Sequence, residues 1–263
     1  MKGALAPASP SPRFLRFFGG YSCRLLRKRF ANVRLERTSE EVLQRAQTHN
    51  GPLIIAMNHP SWWDPIVGVA IRHTYFPDHP AFSPIEMPMF ERFRFMRKLG
   101  MFGIDPEHPD ALNDMVEYMR TQCDSQPRSA IFITPQGTFT DVREPIVVRP
   151  GIGALASKLT DARVITILAE LSFWHDKRPE LLLLARECEV PTRPSTASWT
   201  RQIRNAMQDG ADELARLVIA RDENAFEPML DRSGSDINPA FDLWQRLRGR
   251  NARVSPTRRG ARA

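Results

Sequence analysis

Leu53-Ile54-Ile55-Ala56-Met57, then Asn58-His59-Pro60-Ser61-Trp62-Trp63-Asp64, then Pro65-Ile66-Val67-Gly68-Val69-Ala70-Ile71: the reading of these residues decides the fold. The first five are an apolar run of the length of a short buried strand. The last seven read as a buried helix, and the polar residues between them as a turn. Pro60 and Ser61 favour that bend, since proline fixes φ and serine caps helix starts. His59 and Asp64 stand five positions apart, a spacing that places them on different faces of a helix. They meet only if His59 lies in the turn and Asp64 in the first turn of the helix. A neutral imidazole so placed can take a proton from an attacking hydroxyl, while a carboxylate on its other nitrogen fixes the tautomer. The same residues also spell Ser61-x-x-Asp64, a capping-box pattern in which Asp64 serves only the helix start and His59 is a polar turn residue. The stretch alone leaves both readings open.

Outward from this centre, strands alternate with helices. The pattern predicts a strand over 32–36, a short helix capped by Ser39, a Pro-rich connection over 76–84 and a helix over 88–99 ended by Gly100. A turn and short strand over 100–106 follow, then an amphipathic helix over 111–123 and a buried strand over 129–133. The loop Thr134-Pro135-Gln136-Gly137-Thr138 comes next, with a glycine where backbone can approach a ligand closely. A helix over 151–159, strands over 164–168 and 181–185, and helices over 196–221 and 238–248 complete the reading. This alternation argues for an α/β fold, a layered sheet flanked by helices.

The ends differ from the middle. Of 263 residues 42% are apolar and 25% charged, ordinary for a soluble globular chain, and the net charge is +7. Eight basic residues and no acid precede Glu36, and seven arginines and no acid follow Asp242, so the middle is net acidic. A basic balance confined to the ends does not describe a nucleic-acid-binding domain. Residues 13–30 set Phe14, Phe17, Phe18, Tyr21 and Leu25 at helical spacing, with the arginines mostly off that stripe. That is the pattern of a basic amphipathic helix lying on an anionic membrane surface. The domain reading is a leader and surface helix over 1–30, a central domain over 31–230, and a C-terminal helix with a basic, disordered tail over 231–263. No run reaches the ~18 apolar residues of a membrane span, and no secretory signal is evident. Three scattered cysteines suggest neither a disulfide framework nor a zinc site and fit a reducing compartment. The expected location is cytoplasmic, peripheral on the inner face of the membrane.

The order of these pieces resembles the glycerolipid (lysophospholipid) acyltransferase family. Its first block, Asn-His-x-x-x-x-Asp after a strand, matches residues 58–64 fully. Its third, similar to Phe-Pro-Glu-Gly-Thr-Arg-Ser, stands here as Thr134-Pro135-Gln136-Gly137-Thr138-Phe139-Thr140, without the Glu and Arg. The second block has Pro106 where an Arg is expected, and the fourth has Thr166 in place of a Pro. The resemblance spans about residues 30–187. It implies a glycerolipid acyltransferase-like fold and an O-acyltransferase that moves an acyl chain from acyl-CoA or acyl-carrier protein to a lipid hydroxyl, with no metal and no bound cofactor. It makes His59 the general base and Asp64 its orienting carboxylate. Asn58, Ser61, Pro135, Gln136, Gly137 and Thr138 would form the substrate-binding surroundings. The acceptor it implies is a lysophospholipid such as 1-acyl-glycerol-3-phosphate. The altered blocks leave open a phosphate-free acceptor, sugar-bearing or isoprenoid, and a non-catalytic lipid-binding protein. Arg143 either replaces the missing guanidinium on a phosphate or pairs with Asp141 or Glu144 at the surface.

Overall fold

The structure is a computed structural model and describes residues 5–230. The expected helix over 238–248 and the tail beyond it lie outside the described residues. In chain order the elements are β1 (Leu5–Ala6), α1 (Pro12–Arg29), β2 (Val33–Glu36), α2 (Arg37–Gln47), β3 (Leu53–Met57) and α3 (Asp64–Tyr75). Then come β4 (Ala81–Glu86), α4 (Met87–Arg92), β5 (Met101–Ile104), α5 (Ala111–Ser125), β6 (Ala130–Ile133) and α6 (Pro150–Lys158). The last are β7 (Arg163–Ser172), β8 (Glu180–Glu187), α7 (Thr196–Ala220) and β9 (Phe226–Leu230).

The strands form one nine-stranded sheet in the order β1-β5-β4-β6-β3-β7-β8-β2-β9. Its middle, β5-β4-β6-β3-β7, is parallel, and β1, β8 and β9 join antiparallel neighbours. Helices cover both faces, so the central strands are apolar on both sides rather than alternating. Ile54 and Ala56 of β3 face a core shared with α5, α6 and α7. Leu53, Ile55 and Met57 face the opposite core, shared with α1, α2 and α3.

Several elements differ from the sequence reading, each for a physical reason. The connection expected over 76–84 contains β4 despite Pro84. That strand pairs with β6 only through Ala81 and Phe82, so the missing N–H of Pro84 falls where β6 offers no partner. The helix expected over 88–99 is two pieces. Phe93 leaves helical conformation (φ −113°, ψ 67°), and a 3-10 helix follows over Arg94–Leu99. Gly100 ends it in the left-handed region (φ 87°), where a Cβ would collide with the Ala81 carbonyl oxygen. The short strands β1 and β9 carried no period for the sequence to show.

α1 is packed into the molecule. Leu15, Cys23 and Leu26 are buried, Gly19 lies against the ring of His73, and Phe30 meets Trp63 edge-on at 5.0 Å between ring centroids. The helix therefore runs antiparallel to α3, and the segment assigned to a separate leader shares a core with it. The aromatic stripe is the other side of α1: Phe17 is 68% exposed and Tyr21 46%. Phe14 and Phe18 meet Phe95 of the 3-10 helix there at 6.5 and 6.0 Å.

α2 starts one turn earlier than expected. Glu36, not Ser39, is its N-cap: the carboxylate accepts from the Thr38 and Ser39 N–H groups at 3.0 and 3.2 Å and from the Arg186 guanidinium at 2.9 Å. The Ser39 hydroxyl donates to that carboxylate and accepts the N–H of Ala185 on β8. Burial pushes the Glu36 carboxyl up, but Arg186 and the N–H and hydroxyl donors outweigh it and hold the group below its ordinary value. The stabilisation is complete above the unfolded glutamate value of about 4.3 and is lost as pH falls through the lower, folded value. Glu36→Gln should therefore cost about 2–4 kcal/mol in urea unfolding at pH 7, and the gap to the parent should narrow below pH 4. A gap that is constant with pH would contradict this assignment.

Candidate active site

β3 and β6 are parallel neighbours whose following helices lie on opposite faces, α3 on one and α6 on the other. Open α/β sheets bind ligands outside the carboxyl ends of such a strand pair. The turn 58–64 and the loop 134–149 both emerge there. Asn58 fixes the turn to the sheet. Its amide donates to the Ala169 carbonyl at 3.0 Å and accepts the Ala169 N–H at 2.8 Å, so one buried side chain satisfies both backbone groups of a β7 residue. His59 is held through its backbone by the neighbouring loop. Its N–H donates to Gln136 Oε1 at 2.9 Å, and its carbonyl accepts the Thr140 N–H at 3.0 Å.

Asp64 is the first residue of α3 and is 4% exposed. Its Oδ2 stands 2.8 Å from His59 Nδ1 and accepts the Ser61 N–H at 3.0 Å, while Oδ1 accepts the Ser61 hydroxyl at 3.2 Å. The Ser61–Asp64 bonds and the imidazole–carboxylate pair thus share one carboxylate, while the N-cap of α3 is Trp63, which makes no side-chain capping bond. A charge at this place is favoured by the N-terminal end of the α3 dipole. An ionised carboxylate only accepts, so Nδ1 carries the proton and Nε2 presents its lone pair. Nε2 bonds to no described residue, and the side chain is 19% exposed.

The third-block loop lies against this pair. A turn is closed by the Gly137 N–H on the Thr134 carbonyl, and the Pro135 carbonyl accepts the Arg149 N–H at 2.9 Å. Gly137 has φ 72°, and the Arg149 side chain lies over its Cα. Thr138 is exposed. Phe139 stacks on the His59 ring at 4.3 Å and meets Trp62 at 5.0 Å. Asn58, His59, Ser61, Asp64, Pro135, Gln136, Gly137 and Thr138 are thereby brought together beyond the carboxyl ends of β3 and β6. Arg143 is turned away to solvent, its side chain 86% exposed, and makes a two-pronged bond to Asp141 at 2.7 Å per prong. That pairing holds the Asp141 carboxyl well below the usual range. Two neighbours of the site escaped the sequence reading. Phe139 occupies an arginine's place in the block, and its position gave no hint of stacking. Arg149 directly precedes Pro150, a helix-start proline, and that signal marked where its backbone would return to the loop.

The sequence model of the Acyltransferase family matches residues 34–170. The chain belongs to that family and is an acyltransferase. Among solved structures it is similar to the 1-acyl-sn-glycerophosphate (LPA) acyltransferase PlsC from Thermotoga maritima, with a TM-score of 0.51 and 16% identity over 77% of this chain and 79% of that one. At that identity the likeness shows the fold. A second similarity, to the ATPase DotB of Yersinia pseudotuberculosis, has a TM-score of 0.29 and 14% identity over 69% of this chain and 53% of that one. It carries no argument. No curated protein matches the chain significantly.

Proposed function

We propose that this acyltransferase moves a fatty acyl chain from an acyl thioester, acyl-CoA or acyl-carrier protein, to a hydroxyl of a lysophospholipid such as 1-acyl-glycerol-3-phosphate. The observation that carries the reading is the His59–Asp64 pair, with Nε2 bonded to no described residue beyond the carboxyl ends of β3 and β6. His59 Nε2 takes the proton of the acceptor hydroxyl as its oxygen attacks the thioester carbonyl. The C–O bond forms, the tetrahedral adduct collapses with cleavage of the C–S bond, and the imidazolium returns the proton to the departing thiolate. Asp64 stabilises the imidazolium and keeps Nδ1 protonated. No step needs a covalent enzyme intermediate. The Ser61 hydroxyl is spent on Asp64, and the three cysteines are buried, with Cys123 and Cys188 pushed by burial up to about 11 and about 12. The likeness to the 1-acyl-sn-glycerophosphate acyltransferase of Thermotoga maritima supports a glycerophosphate acceptor.

Such an acceptor is presented by a bilayer. No helix among the described residues is long and apolar enough to cross one. The exposed aromatic stripe of α1, extended by Phe95 and lying among Arg13, Arg16, Arg94 and Lys98, supports a peripheral seat on an anionic surface. Cosedimentation with phosphatidylglycerol vesicles should weaken several-fold in a Phe17→Ser/Phe95→Ser double variant, with unchanged thermal unfolding. Undiminished binding would place the membrane contact elsewhere.

His59→Ala should lower acyl transfer by roughly two to four orders of magnitude with the fold intact. Asp64→Asn should cost a comparable factor, because the tautomer is no longer enforced. The assay is release of free thiol from acyl-CoA against a panel of lipid acceptors with and without phosphate. Near-normal transfer by His59→Ala would refute the base assignment. Better use of the phosphate-free lipids by the parent protein would refute the acceptor.

A further inference from the structure

The third block lacks its arginine, and Phe139 stands in its place, so the site's cation must come from elsewhere if it has one. The loop 134–149 holds two candidates, Arg143 and Arg149. Arg143 is consumed by Asp141, which meets its guanidinium with two short bonds at the surface. Arg149 differs in three respects. Its backbone is pinned to the block, by its N–H on the Pro135 carbonyl at 2.9 Å and by Pro150 opening α6 directly after it. Its side chain is laid across Gly137, where a Cβ would come within 2.6 Å of both Cζ and Nε and 2.9 Å of Cδ. And its guanidinium has no carboxylate or carbonyl partner among the described residues, whereas Arg34, Arg143 and Arg186 each hold one.

Arg149 is exposed, so water serves its guanidinium in the free protein, but a guanidinium offers five donors and gains most from a planar anion that takes two of them. Its place matters as much. Gly137 follows Gln136, whose side chain holds the His59 N–H. The cation therefore sits one residue along from the group that anchors the base. Any side chain at position 137 would displace the guanidinium, so glycine here both supplies the left-handed φ of 72° and leaves the surface on which the arginine rests. We propose that Arg149 is the phosphate-binding residue of this site, forking onto a substrate phosphate in place of the arginine absent from the third block. The inference rests on the acyltransferase reading above and names what its specificity depends on. Two substrates of such a reaction carry phosphate: the lysolipid headgroup, and the coenzyme A portion of the donor. The shared chemistry is a phosphate monoester or diester beside the dyad.

The test crosses two acceptors, lysophosphatidate and monoacylglycerol, with two donors, acyl-CoA and the phosphate-free acyl-pantetheine. Parent, Arg149→Ala, Arg149→Lys and Arg143→Ala are compared by KM and kcat in each combination. Arg149→Ala should raise KM for the phosphate-bearing partner roughly tenfold to a hundredfold, the worth of a charge-assisted fork. It should leave KM for the phosphate-free counterpart and kcat within about twofold. Lys should recover only part of the loss, since it restores charge without the fork. A KM change confined to the acceptor pair assigns the lipid phosphate, and one confined to the donor pair assigns coenzyme A. Equal effects on all four combinations, no effect, or the selective loss appearing in Arg143→Ala instead would overturn the assignment. So would a parent enzyme indifferent to phosphate on both partners. These outcomes are separate from failure of the base reading, which shows in His59→Ala with phosphate-free substrates alone.

Discussion

The buried carboxylate of Asp64 is the constraint on which the site depends. At 4% exposure it needs partners, and it takes three: the His59 ring, the Ser61 N–H and the Ser61 hydroxyl. Stranding one carboxylate here would cost several kcal/mol, so the fold and the chemistry want the same arrangement. The helix start needs an anion, the turn needs a cap, and the imidazole needs a fixed tautomer. Asp64 supplies all three because α3 begins at that residue and not a turn later.

That arrangement in turn relies on the sheet. Asn58 ties the turn to β7 on one side, and Gln136 and Thr140 tie His59 to the loop after β6 on the other. The three strands β6, β3 and β7 are parallel and adjacent, with apolar side chains buried on both faces. Their carboxyl ends therefore hold the loops in a register that one-residue slippage would destroy. Phe139, itself against Trp62, then stacks on one face of the imidazole.

The sequence disclosed the centre of the fold better than its margins. The α/β class, the strand–turn–helix around His59 and the long helix α7 were legible because apolar period and length agree there. Glu36 as the cap of α2 was not legible, since serine is the commoner cap and the decisive partner, Arg186, lies 150 positions away. β4 was hidden by Pro84, whose exclusion from strands fails where one neighbour is missing. The helix α1 was legible as a helix with an outward aromatic stripe, but not as part of the core: Leu15, Cys23 and Leu26 are buried on its other side, and Gly19 lies so close to His73 that no larger residue would fit there. In the site, local spacing left His59 and Asp64 open between a dyad and a helix cap, and the order of the blocks, not the spacing, favoured the dyad. Arg149 was not legible, because its relation to Gly137 arises from how the loop folds back on itself.

The central claim is that Asp64 holds His59 with its proton on Nδ1 and the Nε2 lone pair free for the acceptor. Nitrogen-15 NMR of protein labelled at histidine, with the His59 signals identified by their loss in His59→Ala, reads this directly. The account predicts that neutral His59 is the Nδ1–H tautomer in the parent protein and that Asp64→Asn abolishes that preference. A neutral His59 protonated at Nε2 in the parent would contradict it.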